Sequence, residues 1–198
     1  MLQFDHIAIA TSDLATGTAE IAKALGVPLQ PGGKHAHYGT HNTLLGLGDI
    51  YLEVIAKDPD APVKTYPTWF NLDHFSGPTR PANWICRTPD FAQAPPEVGP
   101  AVQLQRDSIR WELTVPDDGG LPFDGAYPSL LRWAPGITPP AQSLPDRDCR
   151  LTSWIISHPD AENIAAMVTI TDPRVSFETG PASFRAVIDT PTGPVTLA

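Results

Sequence analysis

Two side chains on predicted strands carry chemistry that could move a proton or hold an ion: His6 in "FDHIAIA" and Glu53 in "YLEVIA". Side chains alternate across a strand, so residues two apart share a face. On the first strand Ile7 and Ile9 share one face, suited to pack under a helix, and Phe4, His6, Ala8 and Ala10 share the other. On the later strand Leu52 and Val54 take one face and Tyr51, Glu53 and Ile55 the opposite one. With the branched aliphatics under the helix, His6, Tyr51 and Glu53 meet on the helix-free side, beside two alanines that leave room for a ligand. A His and a carboxylate there could bind a metal or work as acid and base. The same pair is also common as a solvated or ion-paired structural feature, and spacing alone leaves both readings open.

A second cluster lies in "GGKHAHYGTHN", residues 32–42. Its glycines permit turns that bring backbone close to a ligand. His35 and His37 fit an exposed loop. His41 and Asn42 begin a strand, so one of them must face the same open side and could touch a substrate. The histidines could supply metal ligands, or bind an anion beside Lys34. Arg132, between Leu131 and Trp133, falls on the strand face opposite its neighbours. It could grip an anionic substrate or pair with Glu53. Trp84, Trp111, Trp133 and Trp154 fit core positions better than ligand platforms.

The elements that hold these residues repeat. "HIAIATSD" (6–13), "NWICRTPD" (83–90) and "SWIISHPD" (153–160) align without gaps. Each is an apolar strand running into a helix start. Thr11, Thr88 and His158 stand where an N-cap is wanted. Pro89 and Pro159 follow, where a missing N–H costs nothing, and an Asp sits in the first turn to favour the dipole. Leu14, Ile21, Ala22 and Leu25 give the first helix its apolar face, and Gly26 ends it. The third helix places Ile164, Met167 and Val168 on one face. Pro95 and Pro96 stunt the second. Strands follow each helix: two within 40–56 around Gly48-Asp49, then 108–115 and 127–134, then 183–189 and 194–198.

This pattern predicts an α+β fold of βαβββ modules: a first at 1–57, a second at 82–134 and a partial third at 149–198, joined by Pro-rich connections at 58–81 and 135–148.

Bulk properties narrow the partners. The 198 residues are 41% hydrophobic and 18% charged, a globular composition long enough for a sizeable core. A net charge of −9 disfavours nucleic acid and anionic lipid. No apolar run approaches the ~20 residues needed to span a bilayer. Cys86 and Cys149 fit inert buried thiols in a reducing compartment, the cytoplasm. No phosphate-cradling glycine loop, G-x-S-x-G elbow or C-x-x-C is present.

"FDHIAIATSDL" (4–14), "ALGVPLQPGGKHAHYGTHNTLLGLGDIYLEVIA" (24–56) and "ASFRAVIDTPTGPVTL" (182–197) resemble the glyoxalase-like domain family of the vicinal-oxygen-chelate superfamily. The resemblance is weak between 92 and 125. It implies paired modules whose sheets form a cup around a small-molecule site. Metal-dependent members of the superfamily take a His from the first strand and a Glu from the last strand of a module, positions matched here by His6 and Glu53. The second module has Asn83 in place of the His, and Leu131 or Arg132 where the Glu would fall. Asn is a weak ligand and Arg repels a cation, so a divalent metal at His6 and Glu53 would have an incomplete shell.

Three functions follow. The first is an enzyme of lyase, isomerase or dioxygenase type acting on a small oxygenated substrate, metal-assisted, or with Glu53 as base and His6 as acid; Tyr51, Asn42, His41, Asn83 and Arg132 would line its site. The second is a non-catalytic binder of the bleomycin-resistance type. The third is an interaction module, whose extra repeat covers a sheet edge or mediates a homodimer.

Overall fold

The computed structural model describes residues 1–198. Strand β1 (Gln3–Ala10) leads into helix α1 (Leu14–Leu25), then β2 (Gln30–His35), β3 (Thr40–Gly46) and β4 (Tyr51–Lys57). After a long connection come β5 (Arg80–Arg87), β6 (Ala101–Arg106), β7 (Ile109–Thr114) and β8 (Ser129–Trp133). A short helix α2 (Pro140–Ser143) precedes β9 (Arg150–His158), α3 (Ala161–Met167), β10 (Val175–Thr179), β11 (Ser183–Thr190) and β12 (Gly193–Leu197). No helix is long and apolar enough to cross a membrane.

Local chemistry explains the helix ends. Asp13, not Thr11, caps α1: its carboxylate accepts from the Thr16 amide at 2.8 Å, and Thr11 donates its hydroxyl to the Asp13 carbonyl. Gly26 ends the helix at φ 71°. Asp160 likewise takes the cap position of α3, and the expected cap, His158, accepts from the Asp160 amide through Nδ1. Met167, the last residue of that helix, is exposed rather than on its buried face with Ile164 and Val168. In the second module only a 3-10 turn at Pro96–Val98 stands where a helix would be.

Eight strands form one mixed sheet in the order β2-β3-β4-β1-β5-β8-β7-β6, with β1 and β5 antiparallel at its centre. The sheet curls until its two edges approach: a Cβ on Gly33 of β2 would lie 2.5 Å from Cδ of Arg106 of β6. The remaining strands form a second sheet, β10-β9-β11-β12. That sheet packs on the outside of the first, where Trp154, Ile156, Phe184 and Ile188 join Ile7, Ile9, Trp84 and Leu130 in one core. The structure adds three strands to those read from the sequence: β2, β6 and β10.

A separate core fills the inside of the curl. Ala8, Ala10, Ile55, Ile85, Leu113 and Leu131 meet Trp69, Phe70 and Leu72, which come from the Pro-rich connection after β4. Tyr38, Trp69 and Phe70 stack in series, with centroids 4.6 and 4.9 Å apart. Phe70 and Asn71 pay for this with left-handed backbone (φ 57° and 55°). Such residues cost ~1–3 kcal/mol each, whereas burying an aromatic side chain gains at most ~4–6 kcal/mol. The connection is therefore held as a plug inside the curl.

Candidate functional site

The site begins at an irregularity in β1. Its pairing with β5 shifts register between Phe4 and His6. Simple alternation would place Phe4 with His6; the shift instead sends Phe4 to the outer core and leaves Asp5 and His6 both beside the cup. A bulge re-aims side chains in this way. Asp5 then binds its neighbour: His6 Nδ1 is 2.7 Å from Oδ1. The other oxygen of Asp5 accepts from Trp133 Nε1 at 3.0 Å and lies 3.1 Å from Arg87 Nε. Asp5, His6 and Glu53 are all buried. His6 stacks on Tyr51, with centroids 4.3 Å apart and planes 18° from parallel. Fixed on one nitrogen and one face, the imidazole presents Nε2 toward Glu53, 3.7 Å from Oε2.

Glu53 is anchored on its other side. Asn42 Nδ2 donates to Glu53 Oε1 at 2.5 Å. Asn42 Oδ1 accepts from the Gly33 amide at 2.8 Å and lies 3.4 Å from Arg106 Nη1. With donors on its oxygen, the amide of Asn42 has one orientation available, NH2 toward the carboxylate. Gly32 and Gly33 make this possible sterically: a Cβ on Gly32 would stand 1.9 Å from Asn42 Oδ1. His6, with Asp5 behind it, and Glu53, Asn42 and Arg106 border a cavity walled by Leu44, Trp69, Phe70, Ile85, Trp111 and Trp133. About 40 Å³ of it is open to the centre of a water molecule, room for a few waters or one small organic molecule.

Two further polar residues line the cavity. Burial pushes the His35 imidazole down to about 3, with the charges of Arg106, His6 and His41 adding to the effect. It is a neutral ring at neutral pH, packed edge-on to Trp69 and Trp111, with Nδ1 3.0 Å from Thr40 Oγ1. The Tyr51 phenol is held well above its ordinary range, first by burial and then by Asp5 and Glu53, so it stays protonated.

The structure thus brings together His6, Glu53, Asn42 and Tyr51 of the residues singled out in the sequence, and separates the others. His41 lies on the other face of β3, beside Thr43, whose hydroxyl meets Thr18 of α1 at 2.8 Å. Asn83 is buried but satisfied, donating to Ser129 Oγ at 3.0 Å and accepting from the Trp84 amide, and it does not line the cavity. Arg132 points outside the cup and pairs with Glu112 at 2.6 Å, not with Glu53. Lys34 is taken up by Asp58 at 2.7 Å. His35, expected in an exposed loop, is buried at the end of β2. Asp5 and Arg106 went unseen: alternation gave Asp5 to the wrong face, and "AVQLQR" is too polar to announce a strand.

A divalent metal does not fit these side chains. The second half of the sheet offers the cavity apolar and aromatic side chains and Arg106, none of them a metal ligand. No group of three or more His, Cys, Asp or Glu is placed to hold an ion. One Glu53 oxygen is already bound to Asn42, and Arg106 adds a positive charge nearby.

Comparison with known proteins agrees with this architecture. The family model described as "Glyoxalase-like domain" matches residues 4–170. A search of curated proteins finds no match. Among solved structures, a hypothetical protein from Staphylococcus aureus superposes with a TM-score of 0.63 at 17% identity, over 92% of this chain and 88% of that one. A methylmalonyl-CoA epimerase from Streptomyces coelicolor, in complex with 2-nitronate-propionyl-CoA, gives 0.46 at 18% identity, over 70% of this chain and 100% of that one. The methylmalonyl-CoA epimerase from Mycobacterium tuberculosis gives 0.41 at 17% identity, over 68% and 89%. With the family model spanning both halves of the curled sheet, the chain belongs to the glyoxalase-like domain family.

Proposed function

We propose that this protein is an acid–base enzyme of isomerase or lyase type, moving a proton on a carbon next to a carbonyl in a small oxygenated molecule. One observation carries the reading: His6 Nε2 and Glu53 Oε2 face the same cavity 3.7 Å apart, each oriented by a second partner, Asp5 for one and Asn42 for the other. Glu53 takes the proton from carbon, and the electron pair moves into the carbonyl to give an enolate. His6, in its imidazolium form and with Asp5 on Nδ1, donates from Nε2 to the developing oxyanion. Reprotonation on the opposite face of that carbon, or at the carbon on the other side of the carbonyl, completes an isomerisation; expelling a group from the neighbouring carbon completes an elimination. Both groups are buried beside aromatic walls, where a lower local dielectric strengthens each of these interactions.

The test is hydrogen exchange at carbon. Hydroxyacetone and 2-oxobutanoate are incubated with the protein in D2O and followed by proton NMR. Wild type should exchange the protons next to the carbonyl faster than buffer. Glu53→Gln keeps the shape and the Asn42 contact but not the base, and should lose ~10²–10⁴-fold in rate. Equal rates in the two proteins, or no exchange above buffer, would sink the reading. The aromatic lining also suits a protein that only sequesters its ligand, and tight binding without exchange would select that alternative.

A further inference from the structure

We infer that the cavity contains an anion subsite at Arg106 and that its ligand is a small carboxylate, gripped by the guanidinium with its reactive carbon toward Glu53. The inference deepens the proposed function, on which it rests for the catalytic meaning of the site but not for binding itself.

Most arginines of this protein have a carboxylate. Arg87 lies against Asp5, Arg132 against Glu112, Arg150 against Asp146, Arg185 against Glu178, and Arg174 between Asp49 and Asp172. Arg106 lines the cavity, and its polar partner there is the neutral amide oxygen of Asn42 at 3.4 Å. A guanidinium among tryptophans, with planar paired donors and no anion, is chemically matched to a carboxylate.

The chain also makes space for it. The stem of Arg106 crosses β2 at Gly33, where a Cβ would come within 2.5 Å of Cδ and 3.0 Å of Nε. Its charge reaches the cavity lining, helping to hold His35 neutral and opposing the rise of Tyr51. Asn42 lies between Arg106 and Glu53, so subsite and base stand one carboxamide apart. A protein of net charge −9 repels anions at long range, so taking up a carboxylate requires a cation inside the site.

The experiment compares 2-oxobutanoate with its neutral counterpart 1-hydroxy-2-butanone, titrated against tryptophan fluorescence. Wild type should bind the acid at least tenfold more tightly. Arg106→Gln should lose that preference, with the neutral ketone held within about twofold. Arg106→Lys keeps the charge without the fork and should retain part of the preference; it also decides the matter if Arg106→Gln fails to fold. Arg110→Gln, on the same hairpin but exposed, should bind as wild type does. Equal affinity of wild type for the two ligands, no binding of either, or equal losses in the Arg106 and Arg110 variants would overturn the subsite. Glu53→Gln separates the two ideas. Retained acid binding with carbon exchange absent from both proteins refutes the catalysis alone, whereas exchange without acid preference refutes the subsite alone.

Discussion

Asp5 determines what His6 can do. Its carboxylate holds Nδ1 of the ring and also accepts from Trp133, so both donors depend on one buried acceptor. Asp5→Ala should leave them unsatisfied at about 1–3 kcal/mol each, read as a lower midpoint in urea unfolding. His35 makes a pH prediction with the opposite chemistry. The folded ring protonates only near 3, while the unfolded one protonates near its ordinary 6.5. Between those values the unfolded chain binds more protons, so stability is full above about pH 6.5 and is lost as pH falls toward 3. The loss due to this residue between pH 7 and pH 4 is roughly 3 kcal/mol. Denaturation curves at the two pH values should show it, and His35→Gln should flatten the difference.

Among the elements, β2 shapes the site from behind while looking least like a strand. "QPGGKH" has no apolar residue, yet its two glycines admit Asn42 and Arg106 side by side. Gly32→Ala places a methyl group on Asn42 Oδ1 and should cost about 1–3 kcal/mol. It should also slow carbon exchange, because the displaced amide no longer holds Glu53; denaturation and the D2O assay read the two effects. This strand marks the limit of what patterning reveals. Ile7 and Ile9 against His6, and Leu52 and Val54 against Glu53, declare their faces by simple alternation, and the fold follows from that signal repeated three times. Asp5 escapes because a bulge breaks the alternation, and Arg106 because a polar edge strand carries no periodic mark. Arg132 misleads for the reverse reason: its face is opposite Leu131 and Trp133, and those two fill the cup.

At the level of the whole molecule, one curled sheet serves two interiors. Its outer surface is buried under α1 and the second sheet, and its inner surface holds both the plug and the site. The third repeat, with Trp154 and Phe184 stacked 5.1 Å apart, covers the flank left bare by the stunted second helix. The plug has a consequence for size. Trp69 and Phe70 form part of the chamber wall, so trimming either to alanine should enlarge the space and admit bulkier guests. Two guests cannot queue inside so little room, and any compound small enough to lodge there will compete with every other.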